Sequence, residues 1–301
     1  MKLFAGIDGG QSSTVAVIAD ERKRILARGI GGPCDHIGQA ADSPRFAQAL
    51  EAAVRSALLE AKLPPDSPFE SIVAGVSGYE GAIHGLPPQL RAGRIVYVHD
   101  ARIAHAGAFE LRDGIVTIAG TGSVAYGRAH GDEVMVGGWG FLFGDEGSAF
   151  AIARDAFASA VHAEDAARRS ELAEKARRHF GMPALRAIAR AFYTDELDRK
   201  TFASFARPVI AAAESGEAEA LAVVLRAAQA LGALTAACAG RLALAGTVDV
   251  ALSGGTFASD WFRDRVVEQI AGALPQASVA PVRTDPAGGA LLLAYKEGAQ
   301  S

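Results

Sequence analysis

Two short segments constrain the fold of this 301-residue chain most, because each joins two apolar runs through glycine and hydroxyl residues. The first reads IDGGQSSTVAV from residue 7, and the second reads IAGTGSVAYG from residue 118. Each predicts a β-hairpin in which a glycine turn joins two strands. Similar units about 110 residues apart are typical of a duplicated domain, and the chain length also suggests about two domains.

The remaining pattern alternates strands with helices and therefore predicts an α/β fold. Ser43 is expected to cap a helix that has Pro44 at its first position and buries Phe46 and Leu50. A long Ala-rich helical region is expected over residues 146–244, and a last helix after Asp285. Strands are predicted at residues 3–8, 14–19, 24–28, 71–78, 94–100, 115–119, 124–127, 248–255 and 278–284, with a helix at 258–273.

Composition excludes several classes of protein. A formal charge of −4 without any Lys/Arg run predicts no nucleic-acid partner. The sequence starts with a predicted strand and shows no obvious apolar run of about 20 residues, so we expect neither leader nor membrane span, and a cytoplasmic location. With Cys34 and Cys238 as the two cysteines, a disulfide framework or CxxC metal site is not expected.

The glycine turns suit the phosphates of a nucleotide. Successive backbone N–H groups in such a turn form a concave anion site, and neighbouring hydroxyls add donors. The alternative is a pair of ordinary hairpins. A third glycine site follows the strand near residue 253 and would let a base or ribose approach the backbone closely. The candidate nucleotide-binding residues are Gly9, Gly10, Gln11, Ser12, Ser13, Thr14, Thr121, Gly122, Ser123, Gly254 and Gly255.

Three aspartates are candidates for chemistry. Asp8 precedes the first turn and is suited to hold Mg²⁺ through water, or else to accept turn N–H bonds. Asp100 lies where a strand ends and a helix begins, so it is a candidate base for phosphoryl transfer or a helix N-cap. Asp145 is either the N-cap of the next helix or a ligand for sugar hydroxyls. Trp139 nearby either packs in the interior or contacts a sugar ring.

The segments DGG with its hydroxyls, VHDA, GTGS, GGWGFLFGDEGS and LSGG together resemble the BadF/BadG/BcrA/BcrD ATPase family. Within it they resemble the N-acetylglucosamine and glucosamine kinases of the sugar kinase/Hsp70/actin superfamily. The resemblance implies two ribonuclease-H-like (actin-like ATPase) domains facing across a cleft, the second enlarged by helices. The first would cover residues 1–104, completed by a C-terminal helix at 287–301, and the second residues 105–286.

The resemblance also implies an ATP-dependent kinase that phosphorylates an amino sugar at its 6-hydroxyl, with Asp100 as base, Mg²⁺ on Asp8 and a homodimeric assembly. The implied substrate-binding residues are Asp35, His36, Ser77, Gly78, Gly138, Trp139 and Asp145. Two departures from the family pattern stand out. DGGQSST replaces the common DGGGTKT and lacks its basic residue. Asp35 replaces an expected Asn, which favours an amine-bearing sugar such as glucosamine.

Three other functions are alternatives to a kinase. An ATPase that activates an iron–sulfur dehydratase or reductase would share the fold but needs cysteines at a dimer interface. A sugar-sensing regulator of the ROK type would need an N-terminal helix-turn-helix, where this sequence predicts a strand. A non-catalytic sugar- or nucleotide-binding protein stays open, as does the choice among acetylated, free-amine and muramic-type sugars.

Overall fold

The computed structural model describes residues 1–34, 36, 37, 39–244 and 246–299, which form two compact units. Unit 1 comprises Met1–Asp113 and Pro281–Ser301, and unit 2 comprises Gly114–Ala280. The boundary expected at residue 104 falls inside a helix that lies wholly in unit 1. The returning segment begins at residue 281.

The elements follow the predicted alternation of strands and helices. In chain order the strands are β1 (Leu3–Gly9), β2 (Thr14–Asp20), β3 (Ile25–Gly31), β4 (Phe69–Val76), β5 (Ala92–His99), β6 (Gly114–Ala119), β7 (Ser123–Ala129), β8 (Asp132–Gly137), β9 (Val248–Ser253) and β10 (Ala277–Ala280). The α-helices are α1 (Arg45–Glu60), α2 (Asp100–Phe109), α3 (Ala149–Asp165), α4 (Glu171–Phe180), α5 (Leu185–Tyr193), α6 (Arg199–Ala203), α7 (Ala206–Glu214), α8 (Ala218–Arg241), α9 (Asp260–Ala273) and α10 (Pro286–Gly298).

Unit 1 is built on a mixed sheet of order β3-β2-β1-β4-β5. Strand β1 is antiparallel to β2 and parallel to β4. Helix α1 packs on β2 and β3, whereas α10 packs on β1, β4 and α2. Strands β1 and β4 are therefore apolar along nearly their whole length, as expected when both faces of a sheet are covered.

Unit 2 repeats this topology with the order β10-β9-β6-β7-β8. Strand β6 is antiparallel to β7 and parallel to β9, so it occupies the position that β1 has in unit 1. The repeat predicted from the two glycine turns is thus present at the level of the sheets. Six helices, α3 to α8, lie between β8 and β9, where unit 1 has α1 alone.

The helical region forms most of the core of unit 2. Its apolar side chains pack together with those of the sheet, including Phe150, Phe202 and Leu231. Within the described ranges, α8 is the one helix that is long and apolar enough for a membrane span. No such segment was expected from the sequence. The helix contacts α7, α9 and strands β6 to β8, and its apolar character serves that packing.

Several predicted boundaries need correction. Helix α1 starts at Arg45 with Pro44 as N-cap, and the Ser43 hydroxyl donates to Gln39 Oε1 instead of capping the helix. The long helical region begins at Ala149, three residues later than predicted. Strand β10 ends before Pro281, because proline lacks the N–H that a strand pairing requires.

Candidate active site

The first glycine turn joins β1 to β2 and is closed by backbone hydrogen bonds. Gly10 N donates to Ser13 O at 3.1 Å across the turn. Two segments brace it from outside, since Cys34 N donates to Gly10 O at 3.0 Å and Ser77 N donates to Gly9 O at 3.1 Å. The side chains of residues 11–13 are exposed at its tip. The turn therefore presents one amide and two hydroxyl side chains to solvent.

Two residues of this turn, Thr14 and Gly9, are in close contact with neighbouring segments of unit 1. The Thr14 hydroxyl is buried and donates to Gly32 O at 2.8 Å. Gly9 lies so close to its neighbours that a Cβ would sit 2.9 Å from Cys34 Sγ. Both residues were assigned to nucleotide binding from sequence, and the structure shows that both also hold the turn in place.

Carboxylates gather beside this turn. Burial, followed by the negative charges of Asp100 and Asp285, raises the pKa of Asp8 to about 7. Asp285 caps α10 by accepting from Gly288 N, and Arg28 forms an ion pair with it. Although burial alone would raise the pKa of Asp285, the hydrogen bonds from Arg28 and Gly288 lower it. Asp8 thus faces two carboxylates of unit 1, one of them neutralised by Arg28.

Asp100 is the first residue of α2, and its carboxylate does not cap the helix. The N-cap is His99, whose Nδ1 accepts from Ala101 N at 3.1 Å. His99 Nδ1 also lies 2.8 Å from Asp100 Oδ1, and the Asp100 side chain is 32% exposed. The N-cap alternative for Asp100 is therefore wrong. The Asp100 carboxylate lies beside the His99 ring and is accessible to a ligand.

The predicted sugar contacts of unit 1 lie in different surroundings. Ser77 is next to the first turn through its backbone N–H. Gly78 has φ of 74°, and a Cβ there would meet the Ile37 side chain at 2.3 Å. His36 is buried, and its ring stacks on His84 with centroids 5.8 Å apart. The prediction for Asp35 lies outside the described residues.

The second glycine turn joins β6 to β7 and resembles the first. Gly120 N donates to Gly122 O at 2.9 Å, and Ala149 N, at the start of α3, donates to Gly120 O at 2.8 Å. The Ser123 hydroxyl is buried and donates to Glu146 O at 2.8 Å. Of the three predicted phosphate contacts, Ser123 therefore uses its hydroxyl to stabilise the turn. Thr121 is half-buried and lies within the turn.

Asp145 supports the second turn from below. The residue is 5% exposed and has φ of 63°, in the left-handed region. Its Oδ1 accepts from Ser123 N at 3.2 Å, and its Oδ2 pairs with Arg199 at 2.7 Å. Ser148 is the N-cap of α3, so the N-cap alternative for Asp145 is wrong. Sequence reasoning missed Arg199 because it lies 54 residues away in a helical stretch without a recognisable motif.

The third glycine site lies at the end of β9 beside β6. Gly254 has φ of 114°, and a Cβ there would lie 2.3 Å from Ala119 O. The Thr256 hydroxyl donates to the same oxygen at 2.7 Å. A Cβ at Gly255 would meet no atom within 4 Å. Gly254 is therefore needed for close strand packing, whereas Gly255 offers open backbone to a ligand.

The loop between β8 and α3 contributes an exposed apolar surface. Trp139 is 77% exposed, so the alternative that it packs in the interior is wrong. Leu142 and Phe143 are exposed beside it in sequence. Gly138, with φ of 74°, is joined to the second turn because its N–H donates to Ser123 O at 3.1 Å.

Two mixed five-stranded sheets of matching order, each with a glycine turn after its first strand, define a ribonuclease-H-like (actin-like) ATPase fold. The chain belongs to the BadF/BadG/BcrA/BcrD ATPase family, whose model matches residues 5–294. A solved structure from Chromobacterium violaceum, named provisionally as an N-acetylglucosamine kinase, is 26% identical. It is similar over 97% of this chain and 99% of its own, with a TM-score of 0.80.

Two curated relatives match part of the chain. An N-acetylmuramic acid/N-acetylglucosamine kinase of Clostridium acetobutylicum is 31% identical over 175 residues, which are 55% of each protein. An N-acetyl-D-glucosamine kinase of Dictyostelium discoideum is 29% identical over 180 residues, 54% of this chain and 56% of the relative. The matched region therefore spans about half the length of these curated relatives.

Proposed function

We propose that this protein is an ATP-dependent kinase that phosphorylates an amino sugar, N-acetylglucosamine or glucosamine, at the 6-hydroxyl. The observation that carries the proposal is the pairing of an accessible carboxylate on Asp100 with the Asp8 carboxylate beside a glycine turn. The names of the relatives, which are kinases of N-acetylated amino sugars, support the substrate class.

In this mechanism Asp100 accepts the proton of the sugar hydroxyl as its oxygen attacks the γ-phosphorus of ATP. The bond to the β,γ-bridging oxygen breaks, and ADP leaves with that oxygen. Because Asp100 is the first residue of α2, the helix fixes the backbone position of this carboxylate. A fixed base matters because phosphoryl transfer depends mainly on positioning and charge stabilisation.

Mg²⁺ fits the residues around Asp8. Burial and the charges of Asp100 and Asp285 raise the pKa of Asp8, and a bound cation would stabilise its ionised form. Across the residues that the structure describes there is no group of three or more His, Cys, Asp or Glu side chains suited to a metal. A magnesium ion held by one carboxylate, waters and phosphate oxygens meets that condition, because Mg²⁺ keeps most of its waters. The ion would neutralise charge on the phosphates.

We assign the ATP phosphates to the two glycine turns and the adenosine to Gly255. The exposed residues Gln11, Ser12 and Ser13 supply side-chain donors in the first turn. These donors stand where relatives were expected to carry a basic residue, so phosphate binding there relies on hydrogen bonds rather than on a charge. Gly255 has open backbone, which allows a flat base to approach.

The sugar is assigned to Ser77, Gly78 and the exposed Trp139 loop. An aromatic face covers the apolar side of a sugar ring, and the exposure of Trp139 leaves that face accessible. Asp35 in place of Asn favours a sugar with a free amine. A cytoplasmic location and a homodimeric state complete the proposal.

The competing function as an activator with an iron–sulfur cluster fits the structure less well. Cys34 and Cys238 are the only two cysteines of the chain, and both are fully buried. A cluster shared between subunits needs thiolates at an exposed surface. A brown protein with iron and labile sulfide would revive that function.

The decisive experiment measures ADP release from Mg-ATP by wild type and Asp100→Asn with glucosamine, N-acetylglucosamine, N-acetylmuramic acid or glucose. We expect turnover that depends on an amino sugar and falls by about 10²–10⁴-fold in Asp100→Asn, the range for loss of a general base. Asp66→Asn serves as control, because Asp66 lies on the surface of unit 1 in an exposed pair with Arg91. Absence of stimulation by any sugar would overturn the proposal.

A further inference from the structure

The Asp145–Arg199 ion pair beside the second glycine turn is largely buried. Asp145 is 5% exposed and the Arg199 side chain 26% exposed, and their N–O distance is 2.7 Å. A buried carboxylate is stable only when its charge is compensated and its oxygens are hydrogen-bonded. Arg199 provides the charge, and Ser123 N provides the second hydrogen bond.

Arg199 is itself held from several sides. It is the first residue of α6, whose N-cap Asp198 accepts from Thr201 N at 2.6 Å. The guanidinium group lies 4.8 Å from the ring centroid of Phe141 and 5.4 Å from that of Phe150. Aromatic faces attract a guanidinium and exclude water from one side of it. The side chain is therefore a fixed group of the helical region.

Asp145 carries this constraint to the backbone of the second turn. Its Oδ1 accepts from Ser123 N at 3.2 Å, and a Cβ on Gly122 would lie 2.9 Å from its Oδ2. No side chain longer than that of glycine fits at residue 122 unless the carboxylate moves. The position of the carboxylate and the conformation of residues 120–123 are thus coupled sterically and by a hydrogen bond.

We infer that Arg199 is a positioning residue for the nucleotide phosphates: it fixes Asp145, and through Asp145 it fixes the second glycine turn. The inference rests on the proposed function, in which that turn binds ATP. Each carboxylate oxygen of Asp145 has a partner within unit 2, so Asp145 has a structural role at this turn. A preformed turn binds an anion without the entropic cost of ordering its N–H groups.

The test compares Arg199→Gln, Arg199→Lys and the control Arg177→Gln. Arg177 is 27% exposed and pairs with Glu164 of α3 and with Glu174 of its own helix, so it matches Arg199 in burial and charge. ADP affinity is measured by calorimetry without any sugar, and KM is measured separately for ATP and for the sugar. A thermal melt of each variant shows that it is folded.

We expect Arg199→Gln to raise the Kd for ADP and the KM for ATP about tenfold and to leave the KM for the sugar within about twofold, because displaced donors bind phosphate poorly. Arg199→Lys keeps the charge and should recover part of the affinity, whereas Arg177→Gln should behave as wild type. If Arg199→Gln fails to fold, Arg199→Lys replaces it in the same measurements. Lysine keeps the positive charge but lacks the planar guanidinium group that binds a carboxylate through two hydrogen bonds.

Two outcomes would overturn the inference while leaving the proposed kinase intact. One is unchanged ADP affinity in a folded Arg199→Gln protein. The other is a rise in the KM for the sugar alone, which would make Asp145 a sugar ligand. Wild type that binds no ADP would overturn the proposed function, and the inference with it. If wild type binds ADP but phosphorylates no sugar, the ADP affinities of the Arg199 variants measured by calorimetry still decide the inference.

Discussion

The two glycine turns have the same framework but different chemistry. In each, the N–H of the first turn glycine donates to the carbonyl of the last turn residue, Ser13 in one and Gly122 in the other. The first turn is one residue longer, because β1 pairs Gly9 with Thr14 whereas β6 pairs Ala119 with Ser123. The pairing shows that a duplicated hairpin can accept an insertion without losing its closing hydrogen bond.

The difference lies in the residues around the turns. Next to the first stands Asp8, whereas β6 ends with the apolar residues Ile118 and Ala119. The first turn is braced by backbone N–H groups of Cys34 and Ser77, and the second by the buried carboxylate of Asp145. Unit 1 thus has partly exposed carboxylates, Asp8 and Asp100, near its turn, whereas in unit 2 the buried Asp145 carboxylate supports the turn.

Asp8→Asn should have the largest effect on the difference between the two turns, because it removes the carboxylate charge next to the first turn. We expect the Mg²⁺-dependent turnover to fall about 100-fold or more, because the charge that holds the ion is lost. Turnover is measured against Mg²⁺ concentration for wild type, Asp8→Asn and the surface control Asp66→Asn. Full activity in Asp8→Asn at ordinary Mg²⁺ would remove Asp8 from the ion site.

The same residue predicts a pH dependence of stability in unit 1. The pKa of Asp8 is about 7 in the folded chain and 3.8 in the reference state, so between these values the folded state holds a proton that the unfolded state has lost. Stability should therefore fall as pH rises from about 4 to about 7 in the absence of divalent cations. Asp8→Asn should remove this contribution and be more stable than wild type at pH 8 by on the order of 2 kcal/mol.

Denaturant unfolding of wild type and Asp8→Asn across this pH range measures the effect. The difference between the two proteins isolates Asp8 from other titrating groups. A difference that does not change with pH would contradict the raised pKa. Addition of Mg²⁺ should shrink the difference, because a bound cation favours the ionised carboxylate.

A pair of glycine substitutions sharpens the comparison within the second turn. Gly122→Ala places a Cβ 2.9 Å from the Asp145 carboxylate, whereas a Cβ at Gly120 meets no atom within 4 Å. We expect Gly122→Ala to cost about 1–3 kcal/mol of unfolding free energy through forced displacement, and Gly120→Ala to cost less than about 0.5 kcal/mol. Equal effects in thermal melts would show that the carboxylate moves freely.

The smallest expected effects come from two hydroxyl residues of the first turn, one that stabilises the fold and one that is exposed to a ligand. Thr14→Val removes a buried hydrogen bond to Gly32 O and should cost about 1 kcal/mol of unfolding free energy. Ser13→Ala, at an exposed position, should leave stability within about 0.5 kcal/mol but weaken ATP binding. The reverse order of the two stability changes would assign the wrong roles to these residues.

Much of the fold was predictable, because periodicity and turn residues are local signals. The hairpins around residues 9–14 and 120–123, the helix after Asp100 and the repeat itself follow from short segments read alone. The family resemblance is confirmed over residues 5–294. Helix starts were less accurate, since His99, Ser148 and Pro44 occupy N-cap positions expected for their neighbours.

The support of the site was not predictable, because it depends on contacts between distant residues. The sequence predicts a cap or a sugar ligand at Asp145 but does not indicate its ion pair with Arg199, 54 residues away. Gly254 looked like a ligand site, yet its close approach to Ala119 O depends on two strands far apart in sequence. The sugar and ATP assignments stay predictions that the kinetic experiments will decide.

The packing of α10 has a consequence for the order in which the protein assembles during synthesis. A Cβ at Gly6 in β1 would lie 2.2 Å from Leu291 N, and one at Gly289 would lie 2.0 Å from Ile103 O, so α10 fits into a groove of unit 1 shaped by glycine. The ribosome makes all of unit 2 before it makes α10. Unit 1 therefore emerges first but is completed only after unit 2. Helix α10 begins about 190 residues after β5, which corresponds to roughly 10–40 s of translation.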